Sequence, residues 1–215
     1  MRPWSYSALT LYESCPQAYK LRYVDRIKSP GSEAMDRGNE IHQGLEDFLN
    51  RIGPLPTEAE GLTDYYRALQ AEDPTIEEEW GYTQDWAPVP WNHKDIWCRM
   101  KLDVYVPGEP CKIVDHKTGK HYQIKAIDQG QLYAIGASIQ SPEAETFDVQ
   151  FAYVDQDMFK AKSYKRAHVE RFKEKFTRRA TILGNDTEFK PKPHKITCKF
   201  CHLKEHCSFN MENSV

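Results

Sequence analysis

Two short runs of alternating apolar residues, on either side of a Pro-Gly-Glu-Pro segment, constrain the fold of this chain more than any other stretch. The first run is Arg-Met-Lys-Leu-Asp-Val-Tyr-Val, residues 99–106, and the second is Cys-Lys-Ile-Val-Asp-His-Lys-Thr, residues 111–118. Alternation on both sides of a Pro/Gly turn is typical of a β-hairpin. We therefore predict a hairpin over residues 99–118, with one apolar face and one polar face.

The polar face of this hairpin carries two carboxylates. With the turn centred near Glu109, Asp103 falls opposite Asp115, and their Cβ atoms lie about 5 Å apart. Such a pair is repulsive unless a cation lies between the two carboxylates, and oxygen ligands of this kind suit Mg²⁺ or Mn²⁺. Lys117 shares a face with Asp115, where it can orient a water or offset charge on a phosphate. The alternative interpretation is a solvated face with ordinary charges.

Length and composition favour a cytosolic protein with a real core. A chain of 215 residues suits one domain, or one domain with an appendage. No apolar run of about 18 residues predicts a membrane span, and no apolar segment of the secretory type follows the N-terminus. In the cytosol, the six cysteines are expected to be ligands or plain thiols.

Charge is distributed unevenly along the chain. The net charge is −3, which by itself argues against a nucleic-acid partner. Residues 160–206, however, hold 14 Lys and Arg against 5 Asp and Glu. A basic C-terminal third beside an acidic remainder is expected of a channel for a polyanion. An ordinary solvated helix face would give the same pattern.

Hydrophobic periodicity predicts the other elements. A helix capped by Ser5 or Ser7 ends at Cys15, and Pro16 begins the next helix. A longer helix covers residues 32–51, with its apolar stripe at Ile41, Leu45, Phe48 and Ile52. The remaining predictions are a short helix over 65–69, a strand over 77–82, a helix over 129–139 capped by Asp128, a strand over 147–154 and a basic amphipathic helix over 163–183. The chain has no Gly-x4-Gly-Lys-Ser/Thr loop.

Three of the cysteines form a Cys-x2-Cys-x5-Cys pattern near the C-terminus. Cys198, Cys201 and Cys207 supply three soft ligands in one short segment, and a tetrahedral site needs a fourth. Cys15 is the natural donor, which would join the two ends of the chain.

Two metals suit this cysteine set. Zinc is one, with His202 or His206 as substitute ligands. Four thiolates, one of them recruited from far away in the sequence, favour a [4Fe–4S] cluster. Cys98 and Cys111 lie in the hairpin arms and are predicted to be core thiols.

Together these residues resemble the RecB-like branch of the PD-(D/E)XK nuclease superfamily. The matching motifs are Gly38-x3-His42, Asp103, Asp115-His116-Lys117-Thr118 and Gln129-x3-Tyr133. Cys15 with the three C-terminal cysteines resembles the iron–sulfur clasp of AddB-type nuclease domains and of CRISPR-associated RecB-like exonucleases. The chain departs from the branch at Met100 and Val104, where relatives often carry Gly and Arg. At the first position of (D/E)-x-K it has Asp, where many relatives have Glu.

The resemblance implies an α/β fold with a central mixed β-sheet flanked by helices, the restriction-endonuclease-like core. It implies one nuclease domain over residues 1–215. The core would cover about residues 30–160. The basic helix and the cysteine clasp would cover residues 160–207 together with Cys15, away from the catalytic metal.

The resemblance also implies roles for the site residues. Lys117 would align the attacking water with help from Gln129, and Tyr133 would support Gln129 or touch the DNA backbone. One or two Mg²⁺ or Mn²⁺ ions would be held by His42, Asp103, Asp115 and the main-chain carbonyl of His116.

The implied function is metal-dependent hydrolysis of DNA by an exonuclease that prefers single strands or frayed ends, in recombination, replication or repair. An alternative is a nuclease that processes spacers for CRISPR acquisition. Another is a non-catalytic DNA-binding module with a zinc clasp. The expected partners are DNA and a helicase, integrase or recombination protein, with no membrane. The expected location is the cytoplasm, or the host cytoplasm for a phage protein.

Overall fold

The computed structural model describes residues 2–28, 31–119 and 123–211, without the side chain of Gln123. Two compact units make up the chain. One is Glu33–Phe176, and the other combines Met1–Ser32 with Thr177–Val215. No helix among the described residues has both the length and the apolar character that crossing a bilayer requires.

The unit Glu33–Phe176 is built on a mixed β-sheet, which in the described residues has six strands in the order β2-β1-β3-β4-β5-β6. Strands β4 and β5 are parallel, and all other neighbours are antiparallel. The strands are β1 (Thr75–Tyr82), β2 (Pro88–Val89), β3 (Cys98–Val106), β4 (Cys111–Lys117), β5 (Thr146–Tyr153) and β6 (Met158–Lys165). The predicted α/β fold with a mixed sheet is confirmed.

The predicted hairpin is β3 and β4. Val104 pairs with Val114 and Val106 pairs with Lys112, so the turn is centred on residue 109, as predicted. Continued by one residue, this register puts Asp103 opposite Asp115. The apolar alternation explains the pairing, because every second residue of each strand is buried in the core.

Helices cover both faces of the sheet. On one face, α3 (Glu33–Leu49) and α4 (Thr63–Ala71) pack against β-strand residues such as Val114 and Ala152. Helix α5 (Gln123–Gln140) lies against the opposite face, where Gly136 leaves room for the Trp80 ring. The sheet is therefore flanked by helices, as the fold prediction required.

Two details of the predicted helices are wrong. Helix α3 ends at Leu49, so Ile52 lies beyond it and is 76% exposed, while Leu49 takes the buried place. Helix α5 begins at Gln123, so Asp128 lies inside the helix and caps nothing. The Asp128 carboxylate instead contacts the ammonium group of Lys175.

The start of the predicted basic helix over residues 163–183 is also wrong. Residues 158–165 form strand β6, and helix α6 (Val169–Asn185) begins after a short 3-10 turn. Tyr164 is buried as predicted, but from the strand. Strand β6 lies at the edge of the sheet and most of its side chains are exposed, so its apolar alternation is too weak to reveal it.

The other unit contains α1 (Tyr6–Ser14), α2 (Pro16–Tyr19), a π-helical turn (Lys20–Val24), the end of α6 and α7 (Lys195–Lys199). The Ser5 side chain caps α1 by accepting from the Ala8 N–H at 3.3 Å, and Pro16 occupies the first turn of α2, as predicted. Tyr12 donates a 2.7 Å hydrogen bond to Asp186, so this unit joins residues from both ends of the chain.

Candidate active site

Strand β4 and helix α5 bring four of the predicted site residues together. The Tyr133 hydroxyl donates to Asp115 Oδ1 at 2.6 Å, and Gln129 Nε2 donates to Asp115 Oδ1 at 3.2 Å and to the Tyr133 hydroxyl at 2.7 Å. Lys117 Nζ donates to Gln129 Oε1 at 3.1 Å and forms an ion pair with Asp115. Gln129 and Tyr133 reach the same carboxylate because they lie one helical turn apart.

The rest of the predicted set lies around Asp103. Its Oδ2 accepts the main-chain N–H of His116 at 2.6 Å, and its Oδ1 lies 3.6 Å from His42 Nδ1 on helix α3. The His116 ring is buried, and its Nδ1 lies 3.2 Å from the hydroxyl of Tyr66. The His42 and His116 rings meet edge to face, with centroids 5.7 Å apart.

The two carboxylates have different electrostatic environments. Burial raises the pKa of Asp115, and the charge of Asp103 raises it further, which outweighs the opposing effect of Lys117. Burial alone would also raise the pKa of Asp103, but the nearby His42 ring and the ring and main-chain N–H of His116 hold its pKa below the ordinary value. The hydrogen bond to Asp103 raises the pKa of His42, and burial lowers the pKa of His116 to about 4.

These side chains fit a divalent cation in chemistry. Asp115 Oδ2 is buried, and among the described residues the ammonium group of Lys117 is the charged partner that lies against it. A buried carboxylate beside a second carboxylate is stabilised in its charged form by a cation. Two carboxylates and an imidazole are a donor set that Mg²⁺ or Mn²⁺ accepts. Within residues 2–28, 31–119 and 123–211, however, no three His, Cys, Asp or Glu side chains converge as a metal site.

Sequence reasoning missed the contacts that hold the segment after Lys117. The Gly119 N–H donates to Asp155 Oδ2 at 2.7 Å. The Arg37 guanidinium donates to both oxygens of the same carboxylate, at 2.7 and 3.2 Å. A Cβ on Gly38 would lie 3.2 Å from Thr118 Oγ1, so glycine there permits close approach of α3. The Gly38 motif was the one signal in the sequence for this contact.

The four cysteines of the predicted clasp belong to one unit. Burial raises the pKa of the Cys201 thiol, and the charges of Cys15, Cys207 and Cys198 add to that effect. They do not form a metal-binding arrangement in the part of the chain that the structure describes, and the clasp stays a prediction. His202 and His206 are exposed. Cys98 and Cys111 are fully buried, as predicted.

The comparisons with known proteins bear on fold and family. No curated protein matches the sequence. A solved structure from Eubacterium rectale, which bears the name "Putative exonuclease", is 14% identical and has a TM-score of 0.54. That similarity covers 95% of this chain and 87% of that chain. The structure of SSO0001 is also 14% identical, with 98% and 88% coverage and a TM-score of 0.46.

At such low identity, the Eubacterium rectale structure supports the fold alone. The match to the sequence profile of one family is stronger evidence, because it covers residues 3–102 and 101–208, nearly the whole chain. Its matched span includes the hairpin, the (D/E)-x-K segment and helix α5. The chain therefore belongs to the PD-(D/E)XK nuclease superfamily.

Proposed function

We propose that this protein is a metal-dependent DNA exonuclease of the RecB-like branch, with residues 1–215 as one nuclease domain. The observation that carries the proposal is the convergence of Asp115, Lys117 and Gln129 in one hydrogen-bonded group at the end of β4. Nucleases of the superfamily generally use divalent metals, and the buried carboxylate of Asp115 beside the charge of Asp103 supports such use here.

We propose that one or two Mg²⁺ or Mn²⁺ ions are held by the side chains of His42, Asp103 and Asp115 and by the main-chain carbonyl of His116. In such a site the metal supplies polarisation of the phosphate and a lower pKa for bound water. Tyr133 fixes the orientation of Asp115 through its 2.6 Å hydrogen bond. Gln129 holds Lys117 Nζ, so that the ammonium group can orient the attacking water and offset charge on the phosphate.

The proposed substrate is single-stranded DNA or a DNA end, and the proposed setting is recombination, replication or repair in the cytoplasm. The cluster of Lys and Arg in residues 160–206 supports a polyanionic substrate. A helicase, integrase or recombination protein is the proposed partner.

We also propose that Cys15, Cys198, Cys201 and Cys207 hold a [4Fe–4S] cluster, with zinc as the second choice. All four cysteines belong to one compact unit, which supports this proposal, and the other three thiols each raise the pKa of Cys201. Four thiolates are the usual ligands of a [4Fe–4S] cluster. The cluster is proposed to be structural.

The test is a cleavage assay with anaerobically purified protein and end-labelled single- and double-stranded DNA, in Mn²⁺, Mg²⁺ or EDTA. We expect metal-dependent degradation in the wild type and a loss of at least about 100-fold in Lys117→Ala. Lys112→Ala is the control, since Lys112 lies on the same strand and pairs with Glu72 on the other face. Blocking each DNA end in turn gives the polarity.

Two outcomes would contradict the proposal. Cleavage by Lys117→Ala at the wild-type rate would show that the catalytic group is wrongly assigned. Binding of DNA without cleavage under any metal would favour a non-catalytic DNA-binding module.

A further inference from the structure

Strand β6 carries two lysines on the same face of the sheet as Asp115. Asp115 pairs with Phe151 on β5, and Phe151 pairs with Lys160 on β6. Paired residues of neighbouring strands share a face, and Lys162 lies two residues further along the same face. Two strand spacings of about 4.8 Å put Lys160 roughly 10 Å from Asp115.

A cavity of about 480 Å³ lies over this part of the sheet, between β6 and the first turns of α5. Lys160, Lys162 and Phe151 line it, together with Ile127 of α5. The Tyr164 hydroxyl closes one end by donating to the Ile127 carbonyl at 3.0 Å. We call this cavity the β6 groove.

The β6 groove adjoins the candidate active site. The ammonium group of Lys117 lies 5.6 Å from the centre of the Phe151 ring, and that ring also lines the groove. Phe151 is itself 3% exposed and belongs to the core, so its ring is a fixed surface that borders both the β6 groove and the candidate active site. An extended ligand bound in the groove would therefore reach Lys117.

The two lysines of the groove are unpaired cations. Both are exposed, and in the part of the chain that the structure describes neither has a carboxylate partner. Lys162 Nζ lies 5.9 Å from the Tyr164 ring, which holds it over the groove. Lys112, on strand β4 of the same sheet, is instead paired with Glu72. Unpaired lysines beside a cavity are suited to an anionic ligand.

We propose that Lys160 and Lys162 bind consecutive phosphates of a single nucleic-acid strand and guide it to Lys117. Two lysines beside the rings of Phe151 and Tyr164 line the groove, and a basic groove with aromatic rings is the combination that sites for single strands use. At about 3.4 Å per stacked nucleotide, Lys160 lies within about three nucleotides of the cleavage point. This proposal deepens the proposed nuclease function and rests on it for the direction of the strand.

The test compares the wild type with the double variant Lys160→Gln/Lys162→Gln. Its control is Lys28→Gln/Lys94→Gln, which removes the same charge from exposed positions outside both the groove and the basic segment 160–206. Binding of a fluorescein-labelled oligothymidine of 15 nucleotides is followed by anisotropy in EDTA, at KCl concentrations from 50 to 300 mM. Each phosphate contact on a single strand contributes about 0.7 to the slope of log K against log salt, so we expect the slope to fall by about 1.4 in the groove variant alone.

A second readout is the cleavage of the same oligonucleotide with Mn²⁺. We expect KM to rise in the groove variant while kcat stays within about twofold, because the two lysines bind the strand away from the reacting phosphate.

Three results would overturn the groove proposal: an unchanged slope in the groove variant, an equal fall in the control, or an equal fall with a 15-base-pair duplex. If the wild type fails to cut DNA but the slope still falls in the groove variant, the result would support the groove and contradict the proposed nuclease function. The two failures are therefore distinguishable.

Discussion

Asp103 and Asp115 lie on neighbouring strands, each one residue from the Val104–Val114 pair of β3 and β4, yet the protein shifts the pKa values of their carboxyl groups in opposite directions. Asp103 accepts a hydrogen bond from the main-chain N–H of His116 and lies 3.6 Å from His42 Nδ1, and its pKa is lowered. Asp115 is more deeply buried beside the charge of Asp103, and its pKa is raised. The charged form of Asp115 is therefore the one that a cation would stabilise.

This difference predicts unequal effects of two similar substitutions on the metal-free protein. In EDTA near pH 7, Asp115→Asn should lower the free energy of unfolding less than Asp103→Asn, because removal of a disfavoured buried charge offsets the loss of a charged acceptor for Lys117 and Tyr133. Asp103→Asn should lower that free energy by about 1–3 kcal/mol, because two donors lose a charged acceptor. Urea denaturation measures both. With Mn²⁺ added, the wild type should gain stability and neither variant should. An equal loss of stability in both variants in EDTA would contradict this view of the pair.

The hydrogen bond between Tyr133 and Asp115 should matter for cleavage beyond its contribution to stability. Tyr133→Phe removes the donor to Asp115, and we expect DNA cleavage to fall about 10-fold or more, as for partners that orient metal ligands. Tyr105→Phe is the control, because the Tyr105 hydroxyl makes an equally short 2.6 Å bond to Ser141, also buried. Both variants should lose about 1 kcal/mol of stability in urea denaturation. Equal cleavage rates in the two variants would argue against an orienting role for Tyr133.

Asp155 should stabilise the segment after Lys117 in a pH-dependent way. The hydrogen bond from Arg37, assisted by the N–H of Gly119, lowers the pKa of Asp155. Its stabilising effect is therefore complete above the ordinary Asp pKa of about 4 and is lost as the pH falls through the lower folded value.

For Asp155→Asn we expect a loss of about 0.5–1 kcal/mol at pH 7, a smaller difference from the wild type below pH 4, and slower cleavage at pH 7. Asp73→Asn is the control, since Asp73 pairs with Arg51 at the same 2.7 Å distance on the surface. Chemical denaturation across pH and initial cleavage rates check both effects. An Asp155→Asn protein that cuts DNA as fast as Asp73→Asn would show that the segment needs no such anchor.

The cysteine proposal predicts a loss of iron in one variant and its retention in another. Cys201→Ser, purified anaerobically, should lose its iron, its colour and part of its thermal stability. Cys111→Ala should keep its iron, because Cys111 is a buried thiol of the hairpin. Iron analysis, the visible spectrum and thermal denaturation provide the readouts. Unchanged stability and colour in Cys201→Ser would exclude the clasp, and one bound zinc per chain would favour the zinc alternative.

The sequence by itself determined those features that depend on residues close together in the chain. The alternation around residue 109 determined the hairpin register, which places Asp103 and Asp115 each one residue from the Val104–Val114 pair. The spacing of Gln129 and Tyr133 placed both on one helix face, because one helical turn separates them. Ser5 and Pro16 marked helix starts through local capping chemistry.

Only the tertiary structure decided the features that depend on distant partners. Strand β6 is defined by its pairing with β5, since its own sequence is basic and weakly alternating. The anchoring of Gly119 by Asp155 joins residues 36 positions apart, and the contact of Tyr66 with His116 spans 50. Local periodicity carries no information on such pairs, because backbone pairing and core packing choose them only once the sheet and its helices have assembled.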